Sequence, residues 1–227
     1  MKISDHYSGE RGQHYTSLKQ SDPTGPGYAV DFAYFRPYLK PTDVLLDFGC
    51  GNAGILRLAA QVVARAVGVE VNPASAQIAR DQGLTIHSSA EALPTVPTYD
   101  IITSNHCLEH VRDVCGTLER LRQCLKPGGR IVLKLPIDDA RTAYQRAWTR
   151  DDSDHHIQTW TPRLFANVLF EAGYEVKECR VITSAWHPKL FRFQKIGVAP
   201  FLFWLLAVVK SRRQLFAVAV NSVPKTP

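Results

Sequence analysis

The chain has 227 residues, 45% hydrophobic and 21% charged, a composition that excludes disordered and fibrous proteins. Five cysteines without C-x-x-C spacing argue against a disulfide framework or a zinc site. Together with an N-terminus that has no apolar signal segment, they lead us to expect a cytoplasmic protein. The net charge of +6 is uneven, because residues 179–227 contain 8 Lys and Arg and no acid, so we expect this part to meet an anionic surface or substrate.

In chain order, apolar runs and turn residues predict alternating strands and helices. Residues 1–40 are expected to form a polar N-terminal leader or cap, and residues 41–223 are expected to form a single domain. Strands are predicted at 44–48, 66–71, 84–87, 99–104, 130–135, 175–183 and 215–220, and helices at 31–39, 55–63, 74–82, 114–125 and 162–172. This alternation implies parallel crossovers and an α/β fold with a doubly wound, mostly parallel sheet.

A glycine-rich loop follows the first predicted strand. Gly49, Gly51 and Gly54 match the spacing G-x-G-x-x-G, which on its own is weak support for a dinucleotide site. Ligands of open parallel sheets bind beyond the carboxyl ends of the strands, where this loop is placed. Glu70 ends the second strand and could accept both hydroxyls of a ribose, which suits NAD or another adenosine cofactor.

Features around this loop favour an adenosine cofactor other than NAD. Asp47 lies two residues before Gly49, where its charge would repel a pyrophosphate but would suit a ligand with an ammonium and a sulfonium group. The fourth strand leads into the polar run S-N-H-C-L-E-H-V (104–111), where a hydride-transfer enzyme would need room for nicotinamide. The run L-K-P-G-G (125–129) is expected to form a tight turn before the fifth strand.

Residues 40–185 resemble the class I S-adenosylmethionine-dependent methyltransferases, in the small-molecule branch with ubiquinone-pathway and glycan-pathway enzymes. The similar segments are V-L-L-D-F-G-C-G-N-A-G (44–54), V-G-V-E-V-N-P (67–73), S-A-E-A-L-P (89–94), L-E-H-V (108–111) followed by L-K-P-G-G, and H-H-I-Q-T-W-T-P (155–162). The resemblance implies a Rossmann-like methyltransferase fold whose final strand, 215–220, is antiparallel to the others.

The resemblance also implies a cofactor, S-adenosyl-L-methionine, and the residues that hold it. Asp47, Gly49 and Gly51 would surround its methionine part, Glu70 would bind the ribose, Ser89, Ala90 and Glu91 would lie by the adenine, and Asn105 near the amino-acid end. The chain departs from the family pattern at Ala53, where glycine is usual, and at Ser89, where aspartate is common. These departures suggest a displaced loop and a weaker hydrogen bond to the adenine.

The catalytic candidates are histidines, the usual general base near neutral pH. Methyl transfer is an in-line displacement, so alignment supplies much of the acceleration, and a base adds roughly 10²–10⁴-fold for a hydroxyl nucleophile. His156 is the first candidate and His110 the second, although His110 could instead only brace its loop. His155 is more typical of a solvated residue. Asp151, Asp152 and Asp154 together with His155 and His156 could form a metal site, but a run of acids beside histidine is more typical of a solvated loop, so no metal site is predicted.

An apolar segment at 196–209 has 14 residues without a charge, which is short of the ~18–20 that cross a bilayer. It belongs to a predicted helical insertion at about 186–212. It could pack on the core, join a homodimer, or lie in a membrane interface between its basic flanks.

The sequence as a whole predicts a methyltransferase for a small-molecule or lipid-linked acceptor, with oxygen favoured. A non-catalytic binding protein and an NAD-dependent oxidoreductase are the alternatives, and nucleic acid is not expected as a partner.

Overall fold

The computed structural model describes residues 5–7, 9–18, 22–138, 152 and 155–222, except for the side chains of 5, 15, 18, 188 and 194–196. The strands are β1 (Val44–Phe48), β2 (Arg65–Val69), β3 (Thr85–His87), β4 (Tyr99–Asn105), β5 (Leu125–Pro136), β6 (Glu175–Thr183) and β7 (Arg213–Val220). The helices are α1 (Gly9–Leu18), α2 (Gly27–Phe35), α3 (Gly54–Ala59), α4 (Pro73–Asp81), α5 (Val114–Cys124), α6 (Pro162–Glu171) and α7 (Ala199–Val209).

All seven described strands form one sheet in the order β3-β2-β1-β4-β5-β7-β6. The pairs from β3 to β5 are parallel, and β7 is antiparallel to both β5 and β6. This confirms the predicted doubly wound, mostly parallel sheet with an antiparallel final strand. The order reverses between β1 and β4, and this reversal is where ligands bind in such sheets.

The sheet is covered on both faces, which explains the apolar runs of its central strands. Leu46 and Leu133 point to the face covered by α5 and α6, where Phe165 is fully buried. Leu45 and Val132 point to the opposite face, which is covered by α2, α3 and α4. Successive residues of a strand therefore serve two cores, and both must be apolar.

The start of the fifth strand differs from the prediction, because β5 begins at Leu125 rather than at Arg130, and the predicted turn at 126–129 is an irregularity inside this strand. Leu125 pairs with Tyr99, and the register shifts before Arg130 pairs with Ile101. Asn221 holds the irregular stretch by donating from Nδ2 to the Leu125 carbonyl at 2.8 Å. Gly128 has a left-handed φ of 73°, so the Lys-Pro-Gly-Gly stretch turns within the strand, and the backbone of Asn221 supplies hydrogen-bond partners to Gly128 and Gly129.

Helix α7 lies in the predicted insertion and has two different apolar faces. Ala199, Phe203 and Ala207 are buried, whereas a second stripe is 42–74% exposed. No helix in the described part of the chain is long and apolar enough to cross a membrane. Residues of the exposed stripe recur at i, i+3, i+4, i+7 and i+8, so they form one continuous surface: Phe201, Trp204, Leu205, Val208 and Val209.

Candidate functional site

The glycine loop lies where the strand order reverses, between β1 and α3. Gly49 and Gly51 adopt left-handed backbone, with φ of 73° and 56°. A Cβ at Gly49 would lie 2.2 Å from the sulfur of Cys107, whereas one at Gly51 would meet open space. Gly49 therefore allows the loop after β4 to approach, and the backbone of Gly51 faces the site.

Ala53 lies at a position of the loop where the family resemblance leads us to expect glycine. It has a left-handed φ of 67° and is fully buried at the start of α3. A non-glycine residue in this conformation costs roughly 1–2 kcal/mol. The loop nevertheless keeps its turn, because the amide of Ala53 donates to the Cys50 carbonyl at 2.9 Å.

Glu70 connects the end of β2 to the glycine loop. Its Oε2 accepts a hydrogen bond from the Gly51 amide at 2.8 Å, and its Oε1 accepts one from the Asn72 amide at 2.7 Å. Burial raises the pKa of Glu70, and these amide hydrogen bonds oppose the rise. Carboxylate oxygens can accept further hydrogen bonds, so Glu70 can also receive hydroxyl groups from a ligand.

Asp47 lies below the loop, outside the residues that line the cleft described next. It is 3% exposed, and its Oδ1 accepts a hydrogen bond from the Thr103 hydroxyl at 2.8 Å. Burial raises the pKa of Asp47 to about 7, and the charge of Glu70 adds to the rise while the Thr103 bond opposes it. Its influence on a ligand is thus electrostatic, through the loop.

A cleft of about 130 Å³ opens beside these residues. Its lining includes the glycine loop with Glu70 and Asn72, and also His106, Cys107 and His110 from the segment after β4. His106 was given no role in the sequence analysis, although its position just after β4 placed it at this edge. Burial and the charge of Lys134 lower the pKa of His106 to about 4, so it is neutral at physiological pH.

N-terminal residues cover this cleft. The hydroxyl of Tyr7 lies 2.9 Å from Nδ1 of His110, and Nδ2 of Asn72 donates to the Gly12 carbonyl at 2.6 Å. The hydroxyls of Thr16 and Ser75 are 3.3 Å apart. A cleft of 130 Å³ is smaller than the ~300 Å³ of typical small-molecule sites, so a nucleoside-sized ligand requires this segment to move outward.

The predicted adenine-side residues lie at the same edge of the sheet but do not line the cleft. Ser89 precedes a short 3-10 turn at Ala90–Ala92, in which Ala90 is buried and Glu91 is exposed. Asn105 ends β4, and its side-chain oxygen is buried without a hydrogen-bond partner among the described residues. An unpaired amide oxygen of this kind is available to a ligand.

The two predicted catalytic histidines are brought together beside the cleft, whose lining includes His110 but not His156. The rings of His110 and His156 have centroids 5.0 Å apart, although the residues are 46 positions apart in sequence. Nδ1 of His156 contacts Oδ2 of Asp138. The ring of His155 stacks on that of His6 at 4.7 Å, and its carbonyl oxygen lies 3.4 Å from Nδ1 of His110.

Glu109 joins this pair and was not singled out from the sequence. It is fully buried, and burial raises its pKa to about 8. Its Oε1 lies 3.6 Å from Nε2 of His110 and 3.8 Å from Nδ1 of His106.

Of the acidic residues in 151–154, only Asp152 lies within the described residues, and its Oδ2 accepts a hydrogen bond from the His155 amide at 3.1 Å. Asp151 and Asp154 lie outside the described part of the chain.

Comparison with known proteins identifies relatives of this chain. A family model described as a methyltransferase domain matches residues 27–178. An uncharacterized 37.1 kDa protein from a Streptomyces fradiae transposon is 26% identical over 176 residues, which are 70% of this chain and 51% of that protein. A ubiquinone biosynthesis O-methyltransferase from Cereibacter sphaeroides is 32% identical over 96 residues, 39% of each chain. The chain thus spans about half or less of these curated relatives.

A solved structure shows the same fold at low sequence identity. The phosphoethanolamine N-methyltransferase 2 of Haemonchus contortus, in complex with S-adenosylhomocysteine, superimposes with a TM-score of 0.61. It is 16% identical, and the match covers 92% of this chain and 59% of that one.

Proposed function

Because the chain belongs to the S-adenosylmethionine-dependent methyltransferase family, we propose that it transfers a methyl group to an oxygen of a small-molecule or lipid-linked acceptor. The observation that carries this proposal is one cleft lined by two chemically different groups of residues. The glycine loop and Glu70 suit an adenosine cofactor, and His110, whose ring lies beside that of His156, suits an acceptor.

The cofactor side fits S-adenosylmethionine once the N-terminal segment moves outward. When bound, this cofactor supplies an electrophilic methyl group on a positively charged sulfur. We assign the ribose to Glu70, whose two oxygens already lie at the loop, and the methionine part to Gly49 and Gly51, with Asp47 contributing negative charge from below. The adenine is assigned to the turn at 89–91, and the amino-acid end to Asn105 with its unpaired oxygen.

The acceptor side contains a polarised histidine. Asp138 engages Nδ1 of His156, and we assign Nε2 of the same ring as the nitrogen that takes a proton from an acceptor hydroxyl. A base held in this way contributes about 10²–10⁴-fold to the transfer rate. His110 lies beside it and orients the acceptor. This is the reason for preferring oxygen as the methylated atom.

A lipid-linked acceptor is supported by the surface around α7. A cavity of about 490 Å³ lies between α2, the end of β6 and α7, and its wall includes Ala33, Phe191 and Phe203. The end of β6 is at the same edge of the sheet as the glycine loop, because β6 runs parallel to β1. An apolar cavity at this edge can hold the hydrocarbon part of an acceptor whose polar part reaches the cleft.

The exposed stripe of α7 also favours a peripheral membrane contact on the cytoplasmic face. Its five apolar residues are followed by Lys210, Arg212 and Arg213, and residues 179–227 carry 8 basic and no acidic side chains. Such a helix buries its apolar face at the headgroup boundary while the basic residues meet lipid phosphates. A homodimer through the same stripe is the alternative.

The first test is calorimetric titration of the protein with S-adenosylhomocysteine and, separately, with NAD. We expect micromolar binding of the first and none of the second. Binding of NAD alone would overturn the proposal in favour of an oxidoreductase. Binding of S-adenosylhomocysteine without methyl transfer to phenolic, glycan or lipid-linked hydroxyl acceptors would support a non-catalytic binding protein.

A further inference from the structure

Three side chains of metal-binding type converge beside the cleft: Glu109, His110 and His156. One possible ligand atom from each lies within 4.8 Å of the other two. Oε1 of Glu109 is 3.6 Å from Nε2 of His110. Two ligands of a tetrahedral zinc ion, each ~2.1 Å from the metal, lie about 3.4 Å apart, so this pair already has almost the spacing that a shared cation needs.

The carboxyl group of Glu109 lacks the hydrogen bonds that a buried charge requires. Its side chain is 0% exposed, and neither of its oxygens has a hydrogen-bond partner among the described residues. Buried polar groups are nearly always hydrogen-bonded, and buried charges are paired or coordinate metals. The group faces His106 and His110, whose ring nitrogens lie 3.8 Å and 3.6 Å from Oε1, and a cation among these residues would compensate its charge.

Both ligand histidines are oriented by a second residue, as metal-bound histidines usually are. Asp138 contacts Nδ1 of His156, and the Tyr7 hydroxyl lies nearer to Nδ1 of His110, at 2.9 Å, than to Nε2, at 3.4 Å. We assign the Nε2 atoms as the metal ligands, because Nε2 of His110 is the nitrogen that lies 3.6 Å from Oε1 of Glu109. A carboxylate or phenol on the far nitrogen also raises the basicity of the ring.

We propose that Glu109, His110 and His156 bind one divalent transition-metal cation of the zinc type at the acceptor side of the cleft. Two histidines and one carboxylate are a known ligand set for catalytic zinc, and three protein ligands leave a position open for another oxygen. The role rests on the proposed function but changes the source of the base: the open position would receive the acceptor oxygen that is to be methylated. The cation would acidify that hydroxyl in place of His156, whose Nε2 would be a ligand. This differs from the sequence analysis, which weighed the acidic residues of 151–154 together with His155 and His156 as ligands and predicted no metal.

The buried side chain of Glu109 can exist in two protonation states, and only one of them needs the cation. The side chain is stable in this position either as a neutral acid or as an ion compensated by a cation. Glutamine imitates the neutral acid in size and shape, but it is a poor metal ligand. Glu109→Gln therefore separates the two states without leaving a cavity.

The test is Zn²⁺ binding to protein freed of metal by dialysis against a chelator, measured by competition with a chromophoric chelator. We expect one Zn²⁺ per chain with a Kd of a micromolar or below. Glu109→Gln and His156→Ala should each weaken binding at least tenfold, and Asp138→Asn by about 10- to 100-fold, as expected for a residue that orients a ligand. His187→Ala, at an exposed histidine outside the cluster, is the matched control and should bind as the native protein does.

Thermal unfolding and S-adenosylhomocysteine titration of the same samples separate the possible failures. His156 is partly exposed, so its alanine variant should fold even if Glu109→Gln does not. Native-like Zn²⁺ affinity in the two ligand variants, or no stoichiometric Zn²⁺ in a native protein that binds S-adenosylhomocysteine, overturns the metal site and leaves the proposed function standing. Loss of S-adenosylhomocysteine binding by the native protein would instead count against the proposed function.

Discussion

Glu70→Gln tests the assignment of the cofactor side through a defined change in hydrogen bonding. The native carboxylate accepts from the amides of Gly51 and Asn72, at 2.8 Å and 2.7 Å. Glutamine has one acceptor oxygen, and its NH2 group would face an amide donor, so one of the two bonds is lost. A hydrogen bond to a charged group contributes about 1.5–3 kcal/mol, and the unfolding free energy should fall by this amount. For a domain of this size the corresponding fall in Tm is about 3–12 °C.

The same substitution should weaken binding of the cofactor's ribose. If its hydroxyls donate to Glu70, the loss of the charged acceptor costs a further ~1.5–3 kcal/mol, which is about 10- to 150-fold in the Kd for S-adenosylhomocysteine. Calorimetric titration measures this Kd, and a thermal unfolding scan of each sample measures stability. Glu119→Gln, on the exposed side of α5, is the control with the same chemical change away from the cleft.

The two measurements distinguish a ligand contact from a structural role. A fall in Tm with an S-adenosylhomocysteine Kd within twofold of the native value would mean that Glu70 only ties the loop to β2. The ribose assignment would then be refuted, although the loop geometry would be explained. A parallel loss of binding in Glu119→Gln would show that the assay reports stability rather than contact.

Two further predictions concern Asp47 and α7. The folded pKa of Asp47, about 7, is above its unfolded value of 3.8, so the native protein loses stability as pH rises from about 4 to 7. Asp47→Asn should therefore raise the unfolding free energy by about 2–3 kcal/mol more at pH 8 than at pH 5, measured by urea unfolding, and an equal gain at both pH values would contradict the buried charge. Phe201→Asp with Val209→Asp should abolish co-sedimentation with phosphatidylglycerol vesicles, whereas Val96→Asp, at another exposed apolar residue, should not. If the double substitution instead dissolves a dimer seen by sedimentation velocity, the stripe is a subunit interface.

Much of the fold could be predicted because its signals are local. The bounds of β1 and β6 match the predicted strands residue for residue, since each is a short run with clear ends. Helix α3 ends at Ala59 rather than at residue 63, and β5 begins five residues early. These ends depend on residues that are distant in the sequence, such as Asn221, and local sequence patterns contain no information about them.

The candidate site could be predicted in parts that a single loop determines. The spacing of the glycines and of Glu70 follows from the turn after β1 and from the end of β2, and these groups are in contact. His110 and His156 were predicted separately, but their proximity was not, because it depends on how the loop after β5 returns to β4. Glu109 was missed for a related reason: an acid in a turn ordinarily faces water, and only the packed structure shows that it is buried.

Tyr7 connects the two sides of the cleft. Its ring lines the cofactor cleft, and its hydroxyl contacts His110 on the acceptor side. Since the cleft of 130 Å³ would have to widen for a nucleoside, we expect the N-terminal segment that carries Tyr7 to move when the cofactor binds and to change the environment of His110. Coupling between two binding sites is reciprocal, so an acceptor that shifts His110 would then also change the affinity for the cofactor. Tyr7, which no motif in the sequence reveals, would thus link the proposed acceptor and cofactor sides.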